Sequence, residues 1–267
     1  TSTYAIRYPH ILSKEKFIAI MQRILVLGGS GYVGQNICHR AITSGKFKVV
    51  QSLSRSGQPK SDAIVPSLRE ALTEKVEWIE GDIFDQKQRE EIFSGFDCII
   101  STIGAFGSNE FMERVCGDAN IEAARTAADV GVSRFGFISS AQVGRIDLEK
   151  HKRLPLYGYF KGKTRAEDEI QKKFPDGHVI LRPGFIYGSK VTPFGPLPLN
   201  LVGAPIDFVS RQMGPISSLI QSLPFVGTEC TSMVPVTSVA ESMISQITKP
   251  APKGGKILTA EDIRIQS

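Results

Sequence analysis

Leu25-Val26-Leu27-Gly28-Gly29-Ser30-Gly31-Tyr32-Val33-Gly34 runs from an apolar strand straight into a G-x-x-G-x-x-G spacing. Each glycine of the spacing has its own physical task. Gly28 permits a tight turn, Gly31 lets backbone approach a pyrophosphate, and Gly34 lets the following helix pack on the strand. Gly29, Ser30, Tyr32 and Val33 fill the loop and the first helical turn, whose N–H groups are donors for an anion. A glycine spacing alone can be a ligand-free turn. Here a strand precedes it, a helix follows it and a second strand comes at the right distance, which is the context a dinucleotide-binding loop requires.

Outward from this loop, RILVL at Arg23 gives way to a helical stretch from Tyr32 to Ser44 that stops at Gly45. The apolar runs FKVVQSL, VEWIEG, DCIIST, RFGFISS and HVILRP follow, separated by helical segments. Six such strands predict an α/β fold, a Rossmann doubly wound parallel sheet covered on both faces. The helix expected from Glu110 to Val130 places Val115, Ala119, Ala123, Ala127 and Val130 near one face, with Gly131 as its stop.

After Arg182-Pro183 the texture changes. Residues 191 to 236 hold three charged side chains, Asp207, Arg211 and Glu229, among many Pro, Gly, Leu, Val and Phe. The expected organisation is an N-terminal extension over 1–20, an NADP-binding Rossmann domain over 21–190, and a small C-terminal substrate lobe over 191–267 interleaved with that domain. The first twenty residues carry basic and hydroxylated side chains and one acid, Glu15, as the remnant of an organelle-targeting segment would; an ordinary N-terminal arm is the other reading.

Composition narrows the function classes. The 267 residues are 41% apolar and 22% charged, which excludes disorder, collagen and coiled coil. No apolar run reaches the roughly 18 residues needed to span a bilayer. Even Pro196 to Ser210 contains Asn200 and Asp207 and is broken by prolines. Cys38, Cys98, Cys116 and Cys230 form no C-x-x-C, and His10, His39, His151 and His178 neither pair nor take metal-ligand spacing with them, so neither a disulfide scaffold nor a metal is expected. The net charge of +5 is spread among acids rather than striped, so nucleic acid is not the expected partner and an anionic cofactor accounts for the excess.

Cofactor choice is read at the end of the second strand, Leu53-Ser54-Arg55-Ser56. An acid there would hold the ribose hydroxyls of NAD, and none is present. Arg55 instead matches a 2′-phosphate in shape and charge, with Ser54 and Ser56 as hydroxyl donors, which favours NADP(H). A solvated loop arginine is the plainer alternative. Tyr159 and Lys163 form a Tyr-x-x-x-Lys that places phenol and ammonium on one helix face at i and i+4. The ammonium lowers the phenol's pKa, and the phenol can exchange a proton with a substrate oxygen. Tyr157 and Lys161 offer the same spacing two residues earlier.

From Gly28 through Gly188 these motifs resemble the short-chain dehydrogenase/reductase superfamily in its extended or atypical branch. The resemblance implies that Gly162-Lys163-Thr164-Arg165-Ala166-Glu167 is the usual continuation after the catalytic tyrosine, which favours Tyr159 with Lys163, the lysine also binding the nicotinamide ribose. It implies an adenine contact at Asp82 and Ile83 after Gly81, and a loop along the cofactor at Thr102, Ile103 and Gly104. It implies a substrate-orienting hydroxyl at Ser140, which precedes Ala141 as in extended members, with Ser139 as the second candidate. Asn120 matches the helix asparagine of that branch, and Pro183, Gly184 and Phe185 match the segment lining the nicotinamide side.

Within the superfamily, LGGSGYVG, SRSG, GAFGSNEFM, YFKGK and LRPGFIYG resemble an organellar subgroup. It is similar to plant mitochondrial and plastid Rossmann proteins, to the short-chain dehydrogenase-like protein of ubiquinone biosynthesis, and more distantly to the NADPH-binding accessory subunit of respiratory complex I. These likenesses imply an organellar protein, mitochondrial on the matrix side and associated with a membrane, or chloroplastic. Two functions follow. One is an NADPH-dependent oxidoreductase acting on a hydrophobic carbonyl or quinone-pathway intermediate. The other is a non-catalytic NADPH-binding subunit or assembly factor of an organellar membrane complex.

Overall fold

The computed structural model describes residues 23–150, 152, 156–192, 195–198 and 233–265. The expected extension over 1–20 and most of the apolar stretch over 191–236 lie outside them. The first half of the chain alternates strand and helix: β1 (Arg23–Leu27), α1 (Tyr32–Thr43), β2 (Val49–Ser54), α2 (Arg69–Lys75), β3 (Glu77–Glu80), α3 (Gln86–Phe93) and β4 (Cys98–Ser101). Then come α4 (Asn109–Glu113), a π-helical turn (Arg114–Asp118), α5 (Ala119–Asp129), β5 (Arg134–Ile138), α6 (Tyr157–Lys173) and β6 (His178–Arg182). Short strands β7 (Ile186–Tyr187), β8 (Ser189–Thr192), β9 (Gly195–Pro198) and β10 (Val234–Pro235) precede α7 (Val236–Ile247), β11 (Lys256–Thr259) and α8 (Ala260–Ile265).

Seven strands form one parallel sheet in the order β3-β2-β1-β4-β5-β6-β11. The chain winds outward from β1 to β3, then restarts at β4 on β1's other side, so a crevice opens beyond the C-terminal ends of β1 and β4, where such sheets bind ligands. Side-chain alternation supplies both cores. Ile24 and Val26 face Ile37 of α1, Leu72 of α2 and Val239 and Met243 of α7. Leu25 and Leu27 face Phe93 of α3, Ala123 and Ala127 of α5, and Ala166 and Ile170 of α6.

Two elements depart from the sequence reading. The helix expected over Glu110 to Val130 is two α segments joined by the π turn, ending at Asp129, with Gly131 at φ +85° just beyond. The cause is close packing: a Cβ on Gly117 of the turn would stand 2.9 Å from Gly162 Cα of α6. The sheet also has a seventh strand. β11 pairs with β6 and brings the C-terminal segment into the Rossmann sheet; its four residues, Lys-Ile-Leu-Thr, are too short and too mixed to announce a strand.

Candidate functional site: a dinucleotide cradle at the β1/β4 switch point

The glycine loop is held in a tight turn by its own backbone. Gly28 turns at φ +80°, where a side chain would be strained, and its N–H donates to Leu53 O at 2.9 Å. Gly31 N–H donates to Gly28 O at 3.0 Å and closes the turn. A Cβ on Gly34 would lie 2.3 Å from Gly28 O, and one on Gly29 would lie 2.3 Å from Ser52 Oγ. Gly31 caps α1 with no side-chain hydrogen bond, and the first turn carries no acid, so no carboxylate there opposes an anion at the positive end of the helix. The Tyr32 ring reaches toward Gly188, and burial pushes its phenol pKa up.

At the end of β2 the chain turns back at Ser54–Gly57, with Gly57 N–H donating to Ser54 O and Ser54 Oγ donating to Gly57 O. Arg55 and Ser56 sit exposed at the tip of this turn. Gly81 N–H also donates to Ser54 O, which brings the β3 end alongside. There Asp82 accepts from Phe84 N–H, and the Ile83 carbonyl accepts from Arg89, a buried guanidinium that also bonds Thr126 Oγ1 and Glu122.

The β4 end forms the floor. Thr102 Oγ1 lies 2.9 Å from Leu27 O and 3.1 Å from Gly28 O, locking this loop to the glycine loop. Asn120, 0% exposed, accepts from Ser101 Oγ at 2.5 Å and directs its amide N–H groups to the carbonyls of Cys116 (3.0 Å), Val115 and Ile103. Its polar atoms are committed to the protein, so it fixes the Ile103–Gly104 backbone rather than reaching into the crevice.

Helix α6 carries both tyrosines and both lysines of the two Tyr-x-x-x-Lys spacings. Gly158 and Gly162 face α4 and the π turn so closely that a Cβ on Gly158 would stand 1.9 Å from Asn109 O. That approach carries Lys163, 3% exposed, under the sheet end, where Nζ donates to Ile138 O at 2.7 Å and to Ile103 O at 3.1 Å. Nζ also lies 4.4 Å from the Phe137 ring centroid and 5.9 Å from that of Tyr159. Burial pulls the Lys163 pKa down to about 8. Lys161, of the other Tyr-x-x-x-Lys, is spent on Glu113 at 3.0 Å. Tyr159 is half-buried, and Phe106, 74% exposed, stacks on its ring at 5.3 Å.

Ser139 and Ser140 are both buried. Ser140 Oγ accepts from Gln142 N–H at 3.4 Å, whereas Ser139 Oγ has no hydrogen-bond partner among the described residues. Pro183 O accepts from Ala141 N–H, tying the two strand ends together; Gly184 is half-buried and Phe185 exposed. Arg182 makes a two-pronged bond to buried Glu167, one turn beyond Lys163 on α6. Gln35, Arg89, Phe106 and the pairing of Glu167 with Arg182 escaped the sequence reading. Only the Glu at i+4 from Lys163 carried a signal, as an i,i+4 charge pair.

A dinucleotide fits what is present: a cradle whose Gly28, Gly29 and Gly34 leave no room for a Cβ, a helix N-terminus with no side-chain cap, and a buried hydroxyl with no partner among the described residues. Comparison with known proteins agrees. A family described as NAD(P)H-binding matches residues 28–197. An uncharacterized chloroplastic protein of Arabidopsis thaliana is 36% identical over 85% of this chain and 71% of its own length. The mitochondrial protein FMP52-1 of Scheffersomyces stipitis is 30% identical over 68% of this chain and 80% of its own length. Among solved structures, vestitone reductase from alfalfa covers 89% of this chain and 76% of its own at a TM-score of 0.61 and 21% identity, a likeness of fold. With its glycine loop, switch-point crevice and matched span in agreement, the chain belongs to the NAD(P)H-binding family of Rossmann-fold proteins.

Proposed function

We propose that this protein is an NADP(H)-dependent oxidoreductase of the short-chain dehydrogenase type, acting on a hydrophobic carbonyl or a quinone-pathway intermediate. The observation that carries the reading is the buried Lys163 ammonium, held by the Ile103 and Ile138 carbonyls on the helix that bears Tyr159. Two of its three N–H groups are used within the protein, and the third is the donor for a ribose hydroxyl.

The glycine loop from Gly28 to Gly34, with Asp82, Ile83, Thr102, Ile103, Gly104, Pro183, Gly184 and Phe185, would hold the dinucleotide, and Ser54, Arg55 and Ser56 would hold its 2′-phosphate. When bound, the nicotinamide supplies or accepts a hydride. Tyr159 gives the proton to the substrate oxygen on reduction and takes it back on oxidation. A serine hydroxyl orients that oxygen: Ser140 on likeness, or Ser139 on its unpartnered burial. Asn120 is a positioning residue acting through Ile103. The exposed Phe106 ring beside Tyr159 suits an apolar or planar substrate. Organellar placement, mitochondrial or chloroplastic, is supported by the names of the matched relatives.

A second reading keeps the cofactor without turnover, as an NADPH-binding subunit of an organellar membrane complex. It is favoured by Phe106, Phe111, Leu156 and Phe185, which expose apolar surface of the kind that marks a partner.

The test is calorimetric titration with NADPH and NADH of the wild type, Arg55→Ala and Tyr159→Phe. NADPH binding weakened about tenfold or more by Arg55→Ala, with NADH unaffected and Tyr159→Phe unchanged, supports the cofactor assignment. Binding of neither nucleotide removes it. NADPH consumption with short-chain quinones or aromatic ketones, lost in Tyr159→Phe, then separates enzyme from subunit.

A further inference from the structure

The segment that follows β2 leaves the sheet at Ser54, carries Arg55, Ser56 and Lys60 on its exposed side, and returns to the core at Ile64 and Val65, both buried. Its outgoing end is fixed by the Ser54–Gly57 turn. Its returning end is fixed by Gln35, a residue of α1 that is 3% exposed. Gln35 Nε2 donates to Ala63 O at 3.0 Å, and Gln35 Oε1 accepts from Val65 N–H at 3.0 Å.

The same Nε2 donates to Ser30 O at 3.0 Å, inside the glycine loop. A loop carbonyl turned toward a pyrophosphate would repel it. Drawn toward Gln35, the Ser30 carbonyl is neutralised by a donor, and the loop presents N–H groups instead. One buried amide therefore sets the orientation of the phosphate loop and anchors the segment bearing Arg55.

We propose that Gln35 is a positioning residue for cofactor discrimination, coupling the pyrophosphate-binding glycine loop to the Arg55-bearing segment that reads the 2′-phosphate. The inference rests on the dinucleotide reading given above. Losing the Ser30 bond weakens any dinucleotide, because the pyrophosphate is common to all of them. Losing the Ala63 and Val65 bonds weakens only the cofactor that carries a 2′-phosphate, because ordering Arg55 then costs more conformational entropy at the moment of binding.

Gln35→Met keeps the length and shape of the side chain and removes all three bonds. Calorimetric titration of wild type and Gln35→Met with NADPH and with NADH is expected to show both affinities reduced, NADPH by about tenfold or more and NADH by less, so that the NADPH/NADH ratio contracts by at least about threefold. Equal losses for the two nucleotides, or none, overturn the coupling. A wild type that binds neither nucleotide fails the dinucleotide reading itself, and the coupling with it.

Gln35→Glu gives a second variant that retains the acceptor for Val65 N–H but places a carboxylate against the Ser30 and Ala63 carbonyls; it is expected to contract the ratio in the same direction, and an unchanged ratio counts against the proposal. Should neither variant fold, amide hydrogen exchange on the wild type decides. NADPH is expected to slow exchange at Val65 together with Gly29–Gly34, and slowing confined to the glycine loop overturns the inference.

Discussion

Lys163 Nζ stands 2.7 Å from the carbonyl oxygen of Ile138, so a charged side chain from α6 is buried beneath the C-terminal end of β5. Burial pulls the lysine pKa from 10.5 to about 8, and the neighbouring Cys116 and Glu167 offset only part of that desolvation. The unfolded chain then holds more protons than the folded one between those two values, and stability rises with pH across that window. Lys163→Met removes the titrating group. Urea titrations at about pH 7 and about pH 10 should show the wild type gaining on the order of 1–3 kcal/mol relative to the variant. Parallel curves would mean that burial does not disfavour this charge.

Glu167 lies one turn beyond Lys163, with Arg182 clamped on it through a contact of 2.6 Å. Glu167 is 1% exposed, so Arg182 replaces the water its carboxylate would otherwise bind. Glu167→Gln keeps one carbonyl acceptor but removes the carboxylate charge and one prong of the bond to Arg182, and should cost about 1–3 kcal/mol, the range of hydrogen bonds to charged groups. Glu167 also raises the Lys163 pKa, so the same variant should move the lysine's titration to lower pH. Denaturation midpoints measured across pH 6 to 10 read both effects; a variant as stable as the wild type would refute the pairing's importance.

Much of this arrangement is written in local sequence, and the remainder is set by contacts between distant segments. The glycine loop was legible because each of its glycines answers a backbone constraint within the loop or the adjoining strand. The strands were legible from alternation at Leu25 and Val26 and its repeats. Tyr159 with Lys163 could not be separated from Tyr157 with Lys161 by spacing, because both fit. What distinguishes the two lysines is long-range: Gly158 and Gly162 let α6 approach α4 and the π turn, with Lys163 buried and Lys161 paired with Glu113. The π turn follows from that approach and has no local signature. Gln35 reads as an ordinary helix polar residue until Ala63 and Val65 come back to meet it.

Gly158→Ala tests that approach directly. The added methyl would stand 1.9 Å from Asn109 O, a backbone atom that cannot rotate away, so the start of α6 must shift off α4. The expected cost is roughly 1–3 kcal/mol in stability. A larger loss is expected in nucleotide binding, because Tyr159 and Lys163 ride on the displaced turn. Gly45→Ala is the control: its glycine has φ +64° and open space around it, so only backbone strain is added and nucleotide affinity should hold. Thermal melts and NADPH titrations of the two variants separate helix approach from general destabilisation, and equal NADPH affinity in both would show that the approach does not position the site.

Ser139 and Ser140 make opposite predictions in the free protein. Ser139 N–H donates to Leu181 O, but its buried hydroxyl meets no acceptor among the described residues, whereas Ser140 Oγ already accepts from Gln142 N–H. An unmet buried hydroxyl costs about 1–3 kcal/mol, so Ser139→Ala should raise the unfolding midpoint of the nucleotide-free protein and Ser140→Ala should lower it slightly. A site that supplies the missing partner reverses the order. With NADPH and a reducible carbonyl present, Ser139→Ala is expected to lose about tenfold or more in kcat/KM, and Ser140→Ala less. A Ser139→Ala variant that melts lower than the wild type would show its hydroxyl to be bonded in solution, and the substrate-orienting role would then return to Ser140.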